Sequence, residues 1–79
     1  MEYDRDKVDE VTLALLWLSR FKEAGSIRAW KGHDWETMDR LHAKEFISDP
    51  RGKQKSVVLT EEGEKQSKRL FDKYFASKA

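Results

Sequence analysis

The sequence predicts an α+β fold in the order helix, short strand, helix, β-hairpin, helix. Three stretches carry the prediction. Val8 to Phe21 repeats apolar residues at helical spacing. Phe46-Ile47-Ser48 and Ser56-Val57-Val58-Leu59 flank a polar turn, Asp49 to Lys53. Thr60-Glu61-Glu62 then opens a second long amphipathic segment. A chain of 79 residues is expected to form one domain, 1–79, near the lower size limit for a single core, with frayed ends at about 1–5 and 76–79.

Taken in order, Asp4 or Asp6 is expected to cap a first helix running to about Glu23. Asp9 and Glu10 lie in its first turns, where the macrodipole favours carboxylates. Its apolar residues fall on two stripes, Val8/Val11/Leu15/Leu18 and, nearly opposite, Leu13/Trp17/Phe21. Either the helix is central and covered on both sides, or the second stripe is an interface for another copy or another protein. Gly25 is placed as the left-handed residue beyond the helix. Ile27-Arg28-Ala29-Trp30 alternates as a short edge strand expected to lie beside the hairpin.

Lys31-Gly32-His33 turns the chain into a second helix capped by Asp34 or His33. Trp35, Met38, Leu41 and His42 form its inward stripe, completed by Phe46-Ile47, and Thr37, Arg40 and Lys44 form the outward one, flanked by Glu36 and Asp39. Pro50 presets the turn dihedral and Gly52 permits a positive φ, so Asp49 to Lys53 reads as a hairpin loop with a basic tip. Thr60 caps a last helix to about Phe75. Its Gly63, Ser67, Leu70, Phe71 and Tyr74 share one face, with Trp17 the expected neighbour of the small residues.

Composition narrows the function classes. Charged residues make up 39% of the chain, yet 16 Lys/Arg nearly cancel 15 Asp/Glu to leave +1, so nucleic-acid binding would need a local patch rather than global basicity. Zero cysteines exclude disulfides, thiolate metal sites and cysteine nucleophiles. The acidic start lacks signal-peptide character. The longest apolar run, Leu13 to Leu18, is far short of the roughly 20 residues that span a bilayer. A cytoplasmic protein is expected.

Two resemblances follow from these segments. The apolar end of the second helix, the basic turn, the Val-rich strand and Leu59-Thr60-Glu61-Glu62-Gly63 resemble the wing and following helix of MarR-type and related winged-helix regulators, over about Trp35 to Phe75. Arg28 to Trp35, Asp39-Arg40-Leu41-His42, Ile47-Ser48-Asp49-Pro50 and Lys55 to Gly63 resemble, along nearly the whole chain, a family of short bacterial proteins of unknown function. The first resemblance implies a winged-helix-like domain. A complete regulator module also needs two tandem helices before the wing, and Gly25 to His33 is too short and glycine-broken to supply one.

The expected function is that of a non-enzymatic binding module acting in protein–protein interaction or self-association, with a protein partner or homodimer. The helix candidates are Leu13, Trp17, Phe21, Phe71 and Phe75. The tryptophans of the turn, Trp30 and Trp35, are either core anchors or, beside Arg28 and Lys31, a contact site for a peptide or a single-stranded base. The alternative is a winged-helix DNA-binding or transcription accessory protein. It would hold duplex DNA weakly through Thr37, Arg40 and Lys44 of the second helix and Arg51, Lys53 and Lys55 of the wing. His33 and His42 with Asp34 or Asp39 match no metal motif. Ser48 and Ser56 lack a glycine-framed elbow and a histidine partner. No metal, cofactor, catalytic residue or membrane association is therefore expected.

Overall fold

A computed structural model describes residues 1–77 of the chain. Its elements are α1 (Arg5–Leu18), β1 (Phe21–Glu23), β2 (Ser26–Trp30), α2 (Trp35–Ala43), β3 (Ser56–Val58) and α3 (Glu61–Phe75). The expected α+β class is observed, with a three-stranded antiparallel sheet in the order β1-β2-β3. The expected fraying at the C-terminus falls partly on Lys78 and Ala79, which lie outside the described residues.

α1 begins as expected, with the Asp4 side chain accepting from Lys7 N, but it ends at Leu18 rather than near Glu23. Phe21–Glu23 instead pairs back on β2, placing Phe21 opposite Arg28 and Glu23 opposite Ser26. The two residues between, Ala24 (φ 51°) and Gly25 (φ 83°), both have positive φ, as a two-residue hairpin turn that matches strand twist requires. Gly25 is thus a hairpin residue, not a helix terminator. β2 consequently becomes the central strand instead of an edge, because β3 pairs on its other side through Arg28↔Val58, Ala29↔Val57 and Trp30↔Ser56.

The expected hairpin also differs in its first arm. Ile47 makes a single bridge to Leu59. Beside it, Ser48 N donates to Val58 O at 2.9 Å while Val58 N donates to Ser48 Oγ, also at 2.9 Å. The serine hydroxyl replaces the ladder carbonyl, so pairing stops there. Gly52 is not in the left-handed region, and a Cβ on it would meet nothing within 4 Å. Buried Pro50 is the residue that seats this loop.

The core collects Leu13, Ala14 and Leu16 of α1, Ala29, Met38, Leu41, Ile47, Val57, Leu59 and Leu70. α1 packs on α2, α3 and β2, which makes it the central element. Leu18, expected on its core stripe, is 64% exposed, whereas Leu13 is 1% exposed. The buried face is set by Asp9, Leu13 and Leu16, at helical spacing.

Asp9, 2% exposed, is the one buried carboxylate among the described residues. Arg40 Nε donates to its two oxygens at 2.8 and 3.0 Å, and Lys44 Nζ donates to Oδ2 at 2.9 Å. Arg40 also donates to Thr37 Oγ1, itself fully buried. The α2 face expected to point outward therefore faces α1, and Trp35, expected inward, is 58% exposed. The cause is energetic. A carboxylate buried without cations costs several kcal/mol, roughly more than the gain from burying one further indole edge.

α2 ends in a double-bonded left-handed cap. Glu45 N donates to His42 O at 2.9 Å and Phe46 N to Leu41 O at 3.1 Å, with Glu45 at φ 66° where glycine is usual. This cap aims Phe46 O at α3, where it accepts from Thr60 N at 3.0 Å. A Cβ on Gly63 would lie 1.8 Å from that carbonyl oxygen, so the close neighbour of Gly63 is Phe46 backbone and not Trp17. Thr60 caps α3 as expected, its Oγ1 accepting from Gly63 N at 2.9 Å and donating to Glu45 O at 2.7 Å.

Two stability outcomes follow. Replacing Arg40 by Met strands Asp9 with only the half-exposed Lys44 and costs about 3 kcal/mol. Asp9→Ala frees cations that can turn to water and costs about 1–2 kcal/mol. The double variant is expected to be more stable than Arg40→Met alone, a coupling that urea unfolding of the four proteins measures directly. Glu45→Gly relieves a left-handed non-glycine residue and should raise the unfolding free energy by about 0.5–1 kcal/mol, read as a higher urea midpoint at unchanged slope.

Candidate functional site

The sheet has α1 against one face, and its other face is open to solvent, as antiparallel sheets commonly are. Register puts Phe21, Arg28 and Val58 in one row on the open face and Trp30 with Ser56 in the next. Arg28 Nε donates to Ser56 Oγ at 2.7 Å, and its Nη2 donates to Gln54 Oε1 at 2.6 Å and Ser56 O at 3.2 Å. All three partners are neutral. The guanidinium is held in place with its charge uncompensated.

Trp30 ends β2 and is 52% exposed. Its indole lies over the main chain of Gly32, where a Cβ would sit 2.2 Å from Nε1. That explains the glycine: the turn and the ring occupy the same space. Trp35 stands on the other side of the turn, in the first turn of α2. Both tryptophans line a cleft of about 200 Å³ together with Lys31, Gly32, His33 and Lys55.

Lys31 anchors the hairpin loop to this turn, its Nζ donating to Pro50 O and Gly52 O, each at 2.8 Å. Lys31 Nζ and the Arg51 guanidinium each lie 6.0 Å from the Trp35 ring centroid. Lys31 also lines a second cleft of about 260 Å³ with Arg28, Ser48, Asp49, Lys53, Gln54 and Ser56. Burial holds the His33 imidazole below its ordinary pKa, so it is neutral at pH 7 and adds no charge.

Several expected contact residues are placed elsewhere. Thr37 is fully buried, and Arg40 and Lys44 are bound to Asp9, so this trio does not form a free DNA-facing surface. Arg51 pairs with Asp39 at 2.7 Å, which raises the guanidinium pKa, whereas Lys53 and Lys55 are exposed. Leu13 is core and Phe71 packs partly against the core, so neither is free for a partner. Trp17 is half-buried under the Arg20 guanidinium, 3.5 Å from its ring centroid, and faces Glu61 to Lys68 at the start of α3. Phe21 and Phe75 are exposed by 42% and 45%. They lie at opposite ends of the α1/α3 pair, because Tyr74 near the end of α3 donates to Glu10 near the start of α1.

His42 Nδ1 contacts Ile47 O at 3.0 Å. No group of three or more His, Cys, Asp or Glu comes together among the described residues. The helical spacing puts Trp35 on the inward stripe of α2, although the tryptophan turn also reads as a contact site, and sequence reasoning does not single out Gln54. The phase of α2 set by Asp34 and Thr37 would have placed Trp35 at the helix edge.

These features define a small α+β domain that presents an aromatic turn and a cationic loop on one rim. The chain belongs to the family described as Domain of unknown function (DUF6429), which matches residues 4–77. It is similar to uncharacterized protein y4hR of Sinorhizobium fredii (strain NBRC 101917 / NGR234), 52% identical over 75 residues, which is 95% of this chain and 97% of the relative. The expected resemblance to a family of short bacterial proteins is thus met. No solved structure matches, and no helix among the described residues is long and apolar enough to cross a membrane.

The site rests on the α2 cap. Asp34 Oδ2 accepts from Thr37 N at 3.1 Å and from Thr37 Oγ1 at 2.9 Å. The backbone bond first, and the hydroxyl bond second, hold the Asp34 pKa below its ordinary 3.8. Because the folded value lies below the unfolded one, the stabilisation is complete above the unfolded value and is lost as pH falls through the folded one. Asp34→Asn keeps an acceptor without the charge. Its stability deficit relative to wild type should shrink as pH is lowered from about 5 to about 2, followed by urea midpoints.

Proposed function

We propose that the protein is a non-enzymatic binding module whose working surface is the Trp30/Trp35 cleft and the cationic loop beside it. One observation carries this reading. Two tryptophans, 52% and 58% exposed, line one cleft on a chain barely large enough for a core. Burying apolar surface stabilises by about 25 cal/mol per Å², so two indoles left in water mark surface that a partner can cover. Tryptophan and arginine are the side chains that most often dominate binding energy.

The two other readings have less support. Self-association through α1 and α3 would draw on Phe21 and Phe75, which sit at opposite ends of that pair and form no single patch. A winged-helix reading with α2 in a DNA groove would need Arg40 and Lys44, both committed to Asp9. It keeps only the loop cations.

The test compares the wild-type chain, immobilised and washed with host lysate, with Trp35→Ala. Trp35 is exposed, so the variant should keep the wild-type circular dichroism spectrum. Retention of the partner should fall by about tenfold or more. Equal retention by both chains removes the cleft as the working surface. A concentration-dependent dimer in sedimentation that Phe21→Ser or Phe75→Ser dissociates would restore the helix-surface reading.

A further inference from the structure

We infer that the ligand of this surface is a single-stranded nucleic acid, with a base stacked at Trp35 and Trp30 and its phosphates on Arg28, Lys53 and Lys55; the inference rests on the reading that the cleft is the working surface. Charge separation points to a polyanion. Arg28, Lys31, Lys53 and Lys55 line the two clefts against a single lining carboxylate, Asp49, while the whole chain carries only +1. Positive charge is thus concentrated along the clefts rather than spread over the chain, which favours a polyanion there.

The partners of these cations sharpen the point. Arg51 is neutralised by Asp39 at 2.7 Å. Arg28 and Lys31 are held by neutral oxygens and make no ion pair among the described residues. Lys53 and Lys55 are exposed and carry no ion pair among the described residues. Asp49 is the one carboxylate lining the second cleft, and one of its oxygens, Oδ1, accepts from Arg51 N at 2.8 Å. Positive charge thus prevails along the loop.

Aromatic geometry selects among polyanions. Both tryptophans line one cleft of about 200 Å³, where their exposed faces offer a stacking surface to a base, and Lys31 lines both this cleft and the cationic one beside it. Stacking surface next to a backbone-tracking cationic groove is the arrangement that single strands use. An acidic peptide would meet the charges but not need the paired rings. In a duplex the bases are already stacked, and the α2 cations a groove would need are bound to Asp9.

The test is fluorescence anisotropy of a labelled oligo-dT of about twelve nucleotides at about 50 mM salt. Comparison ligands are a duplex of equal length, polyphosphate and an aspartate-rich peptide. Oligo-dT is expected to bind, to quench tryptophan emission and to exceed the duplex by about tenfold. Trp35→Ala should weaken it by about tenfold or more while Trp35→Phe retains most of it. Lys53→Glu/Lys55→Glu should weaken it and lower the slope of log K against log salt by about 1.4, for two lost phosphate contacts.

No binding at that salt overturns the inference. So does equal binding of duplex, polyphosphate or peptide, or indifference to Trp35→Ala. If the lysate partner depends on Trp35 while oligo-dT does not bind, the ligand class falls and the working surface stands. If neither depends on Trp35, both fall.

Discussion

The buried carboxylate of Asp9 is the constraint from which the arrangement of the other elements follows. A charge in a core this small must be met by cations, and Arg40 and Lys44 are the ones within reach. They lie one helical turn apart on α2, so satisfying Asp9 fixes both where α2 sits against α1 and how it is rolled. Thr37 is drawn in with them and gives its hydroxyl to the Asp34 cap. One polar contact thereby sets a helix phase that apolar pattern alone leaves open.

That roll has two consequences on the opposite side of α2. Trp35 is carried to the rim, where Lys31 and Arg51 approach its ring, each at 6.0 Å. The α2 cations are neutralised, so the charge available to a partner shifts to the loop of residues 51–55. A buried ion pair contributes modestly to stability when weighed against a hydrophobic replacement. Its larger effect here is to decide which residues are left for the surface.

The sequence was legible where local chemistry decides. Asp4, Asp34 and Thr60 each cap a helix as their side chains predict, and the β-branched pair Val57-Val58 places β3. It misled where the decision is made at long range. The helical spacing of Trp17 and Phe21 continues past Leu18, and only pairing with β2 turns Phe21–Glu23 into a strand. An Ala-Gly turn gives a weaker hairpin signal than Asn-Gly, because alanine is a reluctant left-handed residue. The buried face of α2 differs in part from the expected one for a similar reason: Met38 and Leu41 lie in the core as expected, but Thr37 is buried and Trp35 is not. Hydrophobicity ranks tryptophan above threonine as a core residue, but Thr37 and Arg40 have a buried carboxylate to satisfy and Trp35 does not. Of the candidate site, the tryptophan turn and the loop cations were visible in the sequence. Their meeting was not, since it depends on Lys31 binding the Pro50 and Gly52 carbonyls.

The Lys31 contact also bears on why the loop suits recognition. A hairpin whose first arm is a single bridge at Ile47 would ordinarily leave residues 49–55 free to move, and ordering them on binding would cost affinity for each side chain immobilised. Here buried Pro50, the two Lys31 bonds and the Arg28–Gln54 bond fix both ends of the loop before any partner arrives. The exposed Lys53 and Lys55 keep their side-chain freedom, which suits contacts to a flexible backbone, while the Trp30 indole and Arg28 are set in place by Gly32 and Ser56. The surface therefore divides into a preorganised part that can discriminate by shape and an adaptable part that supplies charge.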